Sequence, residues 1–220
     1  MQILPNNGIC DITLTSGESR QFVVLDPDDF CLNVSQQEGS TLTLHCIHLA
    51  ERGGKCDITV RQDAARCNTR IYGMALLQGD SLFKLNTHVR HNIGGGFSDQ
   101  LVKLLADDQS HASFYGELVI VRDAQQTEAH QTNRNILLSP YARIDTKPQL
   151  EIYADDVKAS HGATTGQLDS AALFYMQQRG IPLPIARRML LSAFLSDILT
   201  TLPDKVLINT LSARIDEMLG

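Results

Sequence analysis

Between residues 9 and 152 apolar and polar side chains alternate in short runs closed by Gly, Asp, Asn or Pro, among them CDITLTSGE, FCLNVSQQEG, TLTLHCIHLAERGG and KCDITVRQD. A period of two sends successive side chains to opposite faces of an extended chain, so these runs are strands and not helices. The run CDITL at Cys10 to Leu14 returns as CDITV at Cys56 to Val60, an offset of 46 residues, with FCLNV at Phe30 to Val34 between them. If Phe30, Leu32 and Val34 take the places of Cys10, Ile12 and Leu14 and of Cys56, Ile58 and Val60, the steps are 20 and 26 residues. A solenoid of stacked strands tolerates such a wandering step, because insertions leave at the corners while the inward rows stay stacked. A β-sandwich with a turn every ~8–12 residues is the competing architecture.

After Thr165 the period changes. Leu168, Ala172, Tyr175 and Met176 fall at helical spacing, and Gly180 followed by Pro182 supplies a stop. Pro184 suits the first turn of a second helix, on which Ile185, Met189, Ala193 and Phe194 form one apolar stripe and Leu191, Leu195, Leu199 and Leu202 another. Pro203 and Asp204 open a third, with Ile208, Leu211, Ile215 and Met218 on one face. The expected organisation is strands over residues 1–165 capped by a helical segment over 166–220. A helix with two apolar stripes has more surface to cover than one sheet can hide, which points either to a partner protein or to packing among the three helices.

The 220 residues are 43% hydrophobic, enough for a sizeable core. A formal charge of −6, with no cluster of Lys and Arg, speaks against nucleic acid and anionic membranes as partners. There is no apolar run long enough to span a bilayer, and MQILPNNGICD lacks the pattern of a secretory signal. Cys10, Cys31, Cys46, Cys56 and Cys67 are odd in number and without CxxC spacing, so they read as free thiols in a reducing compartment, the cytoplasm.

Few residues suggest chemistry. His161, in SHGATTG, is expected on a Gly-bearing turn between strand and helix, where an imidazole can reach outward or simply brace the turn. Asp155 and Asp156 are adjacent, point to opposite sides and read as a solvated turn. His45, Cys46 and His48 look metal-like, but alternation sends His45 away from the other two, leaving fewer donors than a zinc site needs. His88 and His91 likewise split across a strand. Gly94, Gly95 and Gly96 lack the Lys-Ser or Lys-Thr of a phosphate loop and read as a flexible corner. Tyr115, Glu117, His130 and Gln131 are expected to line an outer face. No GxSxG or HExxH motif occurs.

The stretch PQLEIYADDVKASHGATTGQLDSAALFYMQQRG, Pro148 to Gly180, and HASFYGELVIVRDAQQTEAHQTNRNILLS, His111 to Ser139, resemble the SufB/SufD family of scaffold subunits in the Suf iron-sulfur cluster assembly machine, the SufD branch in particular. The resemblance covers roughly the last half of the chain; residues 1–110 match in general character only. It implies a right-handed parallel β-helix followed by a C-terminal helical segment, and a scaffold subunit with no catalysis of its own. By the same resemblance, the edge from Gln149 to His161 pairs with a SufB-like subunit or a second copy, giving a homodimer in isolation. Residues from about Gly166 to Leu219 dock the SufC-like ATPase. No cofactor is held stably by this chain alone; an iron-sulfur cluster forms at the interface, with His161 a candidate ligand or orienting group. Two departures stand out. Ala159 occupies a place where many relatives carry cysteine, and the chain starts almost at once with strands where full-length members have a helical region, so it looks shortened and its first coil, Gly8 to Ser16, is expected to favour self-association. The alternative on the same fold is a metal-binding protein using His45, Cys46 and His48, or a purely structural adaptor.

Overall fold

The computed structural model describes residues 1–220. Its strands are β1 Gln2–Ile3, β2 Gly8–Leu14, β3 Ser19–Leu25, β4 Phe30–Gln36, β5 Thr41–His48, β6 Gly54–Gln62, β7 Asn68–Leu77, β8 Leu82–His91, β9 Phe97–Ala106, β10 His111–Ile120, β11 Thr127–Leu137, β12 Arg143–Ile152 and β13 Val157–Gly166; helices α1 Ser170–Gln178, α2 Leu183–Leu199 and α3 Lys205–Met218 follow. Odd-numbered strands form one seven-stranded sheet and even-numbered strands a six-stranded sheet. Every pairing is parallel and joins a strand to the one two places on, so each coil lays one strand in each sheet. This is the expected β-solenoid and not a sandwich of antiparallel strands.

The coil step differs at one place from the sequence expectation. Phe30, Leu32 and Val34 do pair with Cys56, Ile58 and Val60, a step of 26. Cys10, however, pairs with Leu32 and Gly8 with Phe30, a step of 22 where 20 was expected. A slip of one residue would turn every inward side chain outward, but a slip of two leaves the faces unchanged, so the hydrophobic pattern is blind to it. What fixes the register is the corner at 26–29, where Asp26 and Asp29 both take positive φ (48° and 57°). The 94–96 corner is tight rather than flexible: a Cβ on Gly94 would stand 2.2 Å from Gln125 O, and one on Gly96 2.2 Å from Gln62 Oε1.

Two apolar cores result. Between the sheets lie inward rows including Leu32, Leu44, Ile58, Ile71, Leu85 and Phe114, all buried. A second core forms on the outer face of the seven-stranded sheet, where Val23, Ile47, Met74, Leu76 and Leu105 meet Leu191, Leu195, Ile198, Leu211 and Ile215. The helices therefore lie along the side of the solenoid; they do not cap its end, as the sequence suggested, because the strand-to-helix link leaves from the last coil and α2 and α3 turn back over the sheet's apolar face. Strands buried on both sides lose their alternation, which explains runs such as GMALL in β7 and LVKLLA in β9. The outer face of the other sheet is uncovered and keeps it, with β8 alternating cleanly between exposed or half-buried and buried positions.

Helix ends follow local chemistry. Asp169 and Asp204 cap α1 and α3 by accepting from Ala171 N (2.8 Å) and Val206 N (2.8 Å). Proline lies in the first turn of α2. Polar ties then fix the helices to the sheet. The buried Lys103 donates to Phe194 O (2.6 Å) and Asp197 Oδ2 (2.5 Å), His45 Nε2 meets Thr201 Oγ1 at 2.7 Å, and Arg214 Nη1 donates to Asp26 Oδ2 at 2.7 Å.

Candidate functional site

The last coil, β12 with β13, ends both sheets. The ladder to β11 runs from Thr127↔Val157 to Ile136↔Gly166, so Val157, Ala159, His161, Ala163 and Thr165 continue the inward rows of Thr127, Ala129, Gln131, Asn133 and Asn135. Across from them Ile144, Thr146, Pro148, Leu150 and Ile152 continue the rows of Ala112, Phe114, Gly116, Leu118 and Ile120. In β11 those rows are buried; in β13 the residues from Ser160 to Gly166 are exposed, since no further coil stacks upon them. Pro148 is tolerated because an edge strand needs no donor on its outer side.

His161 thus sits mid-strand and not on a turn. The Gly- and Thr-rich wording of SHGATTG suggests a loop, but ten consecutive pairings with β11 hold it extended. Its side chain belongs to an inward row that has no coil above it, with Ala159 two residues earlier in the same row. Beneath His161 lies Gln131, 2% exposed, whose Oε1 and Nε2 both lack a protein partner. Gln131 therefore faces inward, contrary to the expectation of an outer position; as the neighbour of His130 in an extended strand it must point to the opposite side. The Thr146 Oγ1 is also buried without a partner. Each such group withholds ~1–3 kcal/mol from stability. Beside them Asn135 Nδ2 reaches Asn133 Oδ1 (2.6 Å) and Thr165 Oγ1 (3.1 Å).

Tyr115, Glu117 and His130 do lie on outer faces. Tyr115 OH donates to Glu117 Oε1 (3.2 Å) and Gln149 Oε1 (3.1 Å), while His88 Nδ1 lies 3.1 Å from Glu117 Oε2. Burial and the neighbouring Glu117 carboxylate hold the Tyr115 hydroxyl above its ordinary pKa. His130 bridges Ser160 (2.8 Å) and Glu128 (3.1 Å) across the last two strands of its sheet. Asp155 and Asp156 occupy the exposed bend between β12 and β13, as expected.

The remaining candidates are structural. His45 points outward beneath the helices, stacked on Tyr72 with ring centres 5.0 Å apart, while His48 points inward and stacks on Phe83 at 4.3 Å. His88 and His91 also divide, His91 being fully buried with Nε2 2.8 Å from Ser98 Oγ. Burial pushes the pKa of His45 and of His91 down to about 4, so both are neutral at pH 7. No group of three or more His, Cys, Asp or Glu side chains converges as a metal cage. All five cysteines are free; contact with Cys46 and burial raise the Cys56 thiol well above its usual pKa, which leaves it a poor nucleophile.

The helical segment leaves apolar side chains uncovered. Leu191 and Leu195 are buried against the sheet, whereas Phe174 and Tyr175 of α1 and Leu183, Ile185 and Met189 of α2 are exposed. Of the stripe Ile185, Met189, Ala193 and Phe194 read from the sequence, Ile185 and Met189 are therefore not consumed by packing among the helices, while Phe194 packs against the second core. Beside it a groove is lined by Leu138, Leu168, Leu173, Leu183 and Arg187. No helix is long and apolar enough to cross a membrane.

Residues 31–194 match the model of the SufBD core domain of SUF system iron-sulfur cluster assembly. The chain belongs to the SufBD family. The match begins far upstream of the segment legible by eye and takes in β5 to β9 as well as the open coil. Among SufBD relatives, the iron-sulfur cluster assembly protein SufD of Escherichia coli is 39% identical over 150 residues, which is 68% of this chain and 36% of that protein. A SufBD family protein of Synechocystis is 34% identical over 170 residues (77% of this chain, 38% of the relative), and the chloroplastic protein ABCI7 of Arabidopsis thaliana is 35% identical over 173 (78% and 36%). The aligned region thus spans little more than a third of these SufBD proteins.

Proposed function

We propose that this chain is a scaffold in Suf iron-sulfur cluster assembly, without catalysis of its own, working as one half of a two-sided junction. The observation that carries the reading is the last coil: two adjacent edge strands present unpaired backbone groups and an uncovered inward row containing His161, a surface that a SufB-like subunit or a second copy can extend strand for strand. The nascent cluster is the cargo of that junction. His161 supplies a neutral nitrogen, as ligand or as orienting group, and the thiolates come from the partner, consistent with Ala159 in this row and the lack of any cysteine after Cys67. The exposed stripe of α1 and α2, around Phe174, Ile185 and Met189, docks a SufC-like ATPase, whose movements would reach the solenoid through α2 and its ties to Lys103 and His45. Five free cysteines accord with a reducing, cytoplasmic setting.

Co-purification with SufB-like and SufC-like proteins tests the reading. Removing the helices would strip the second core, so point variants are the better tool. Ile185→Asp with Met189→Asp is expected to lose the ATPase and keep the SufB-like partner, and His161→Ala to keep both and lose iron. A wild-type chain that retains neither partner would overturn the proposal while leaving family and fold intact.

A further inference from the structure

The inward row that ends at His161 changes character along the solenoid. Read through the register it runs Phe22, Leu44, Ile71, Gln100, Gln131, His161. The first three are apolar and buried, so this place in the coil accepts aliphatic and aromatic residues and the fold makes no demand for an amide there. Gln100 is partly engaged, its Oε1 accepting from Thr87 Oγ1 at 2.8 Å. Gln131, one strand below His161, has neither amide atom bonded to protein although it is 2% exposed. Room is made for it: a Cβ on Gly116, in the facing strand, would stand 1.9 Å from Gln131 Nε2, so only glycine admits the amide at that spot. A buried polar group kept without a partner, in a row that earlier coils fill with leucine and isoleucine, weakens the fold and asks for a role outside stability.

We propose that Gln131 is the positioning residue for His161. Its Oε1, which no protein group reaches, accepts a hydrogen bond from one ordered water that in turn accepts from one ring N–H of the imidazole, which fixes the neutral tautomer and leaves the lone pair of the other nitrogen directed out of the open end. A histidine that is to meet a metal or a partner's donor needs its second nitrogen held in this way, and neighbouring parallel strands lie ~4.8 Å apart, within reach of an amide and an imidazole in the same row. The purpose assigned to this bridge rests on the junction reading above; the unpaired amide beneath His161, from which the bridge is inferred, does not.

The test is the nitrogen-15 spectrum of the His161 ring in the full chain at pH 8, assigned with His161→Gln and compared between wild type, Gln131→Leu and Gln131→Met. In the wild type one tautomer is expected to exceed its value in a short SHG peptide by about three- to tenfold, the range a single hydrogen bond supports. In both variants the ratio falls back to the peptide's, while the melting temperature stays the same or rises. Gln131→Met keeps an unbranched side chain and serves if the leucine variant folds poorly. A tautomer ratio unchanged in the folded variants overturns the proposal. If Gln131 sets the tautomer and His161→Ala still assembles clusters, the junction reading fails and this inference stands; the converse outcome separates them the other way.

Discussion

The middle coils and the last coil share one strand geometry and one register, yet they spend it differently. From β5 to β9 the inward rows are closed above and below by other coils, and the outer face of the seven-stranded sheet is closed by α2 and α3. In β12 and β13 the same rows continue with nothing over them; from Ala159 onward the β13 row turns small or polar (Ala159, His161, Ala163, Thr165), while β12 keeps Ile144, Leu150 and Ile152 beside Thr146. An exposed edge that stayed as apolar as Leu44 and Ile71 would aggregate. The difference teaches that position along the axis, more than residue type, decides whether an inward side chain serves stability or is free for chemistry.

The largest effect expected from this contrast is on packing. Leu195→Ala, beneath the helices, should cost ~2–5 kcal/mol in urea unfolding, because the site is fully buried and cannot collapse. Leu150→Ala in the last coil, half-buried, should cost ~1 kcal/mol. Equal losses would mean that the open coil is covered in solution, and sedimentation would then show a dimer.

The next effect is pH dependence, confined to the closed region. His45 and His91 have folded pKa values of about 4, below the ordinary 6.5, so between those limits the unfolded chain binds protons that the folded chain does not. Stability therefore falls as pH drops through 6.5 and continues to fall until 4, by ~2 kcal/mol per histidine from pH 7 to pH 5. Replacing His91 by Leu should remove that residue's share of the slope and leave those of His45 and of His48, whose pKa burial also lowers, read from urea midpoints at the two pH values. An unaltered slope would place the proton uptake elsewhere.

A smaller loss is expected at the tie between α2 and the sheet. Asp197→Ala leaves the Lys103 ammonium, 3% exposed, with the Phe194 carbonyl alone, at a cost of ~1–2 kcal/mol. Hydrogen exchange should quicken in α2 and remain unchanged in β12 and β13. If exchange rises in the last coil too, the two regions are coupled more tightly than their separate cores imply.

Much of this contrast was legible in the sequence, and the gaps have physical causes. Alternation revealed the strands, the CDITL and CDITV recurrence revealed the stacking, and Pro184, Gly180 and Asp204 bounded the helices. The splitting of His45 from Cys46 and His48 followed from parity alone. A two-residue slip at β2 escaped notice because it moves no side chain to another face. Lys103 escaped because a lone lysine in LVKLLA gives no hint of a carboxylate on a helix 94 positions later. Gln131 was seen but turned the wrong way: a run of polar residues, EAHQTN, carries no hydrophobic beat from which to count faces. Its importance lies in an unpaired amide, which only the packed structure displays.

The smallest stability effect, and the sharpest functional one, is expected at His161. An exposed side chain on an edge strand contributes little to folding, so His161→Ala should shift the unfolding free energy by no more than ~0.5 kcal/mol. Cluster assembly in the presence of SufB-like and SufC-like partners should nevertheless fall to background, since methyl in place of imidazole removes the only nitrogen or sulfur side-chain donor of the inward rows of β12 and β13. The pairing of the two outcomes is what matters. Loss of assembly with loss of stability would make His161 another structural histidine like His45, and retained assembly would make the open coil a joint and nothing more. Only a stable variant that binds its partners and yields no cluster separates chemistry from architecture at this end of the solenoid.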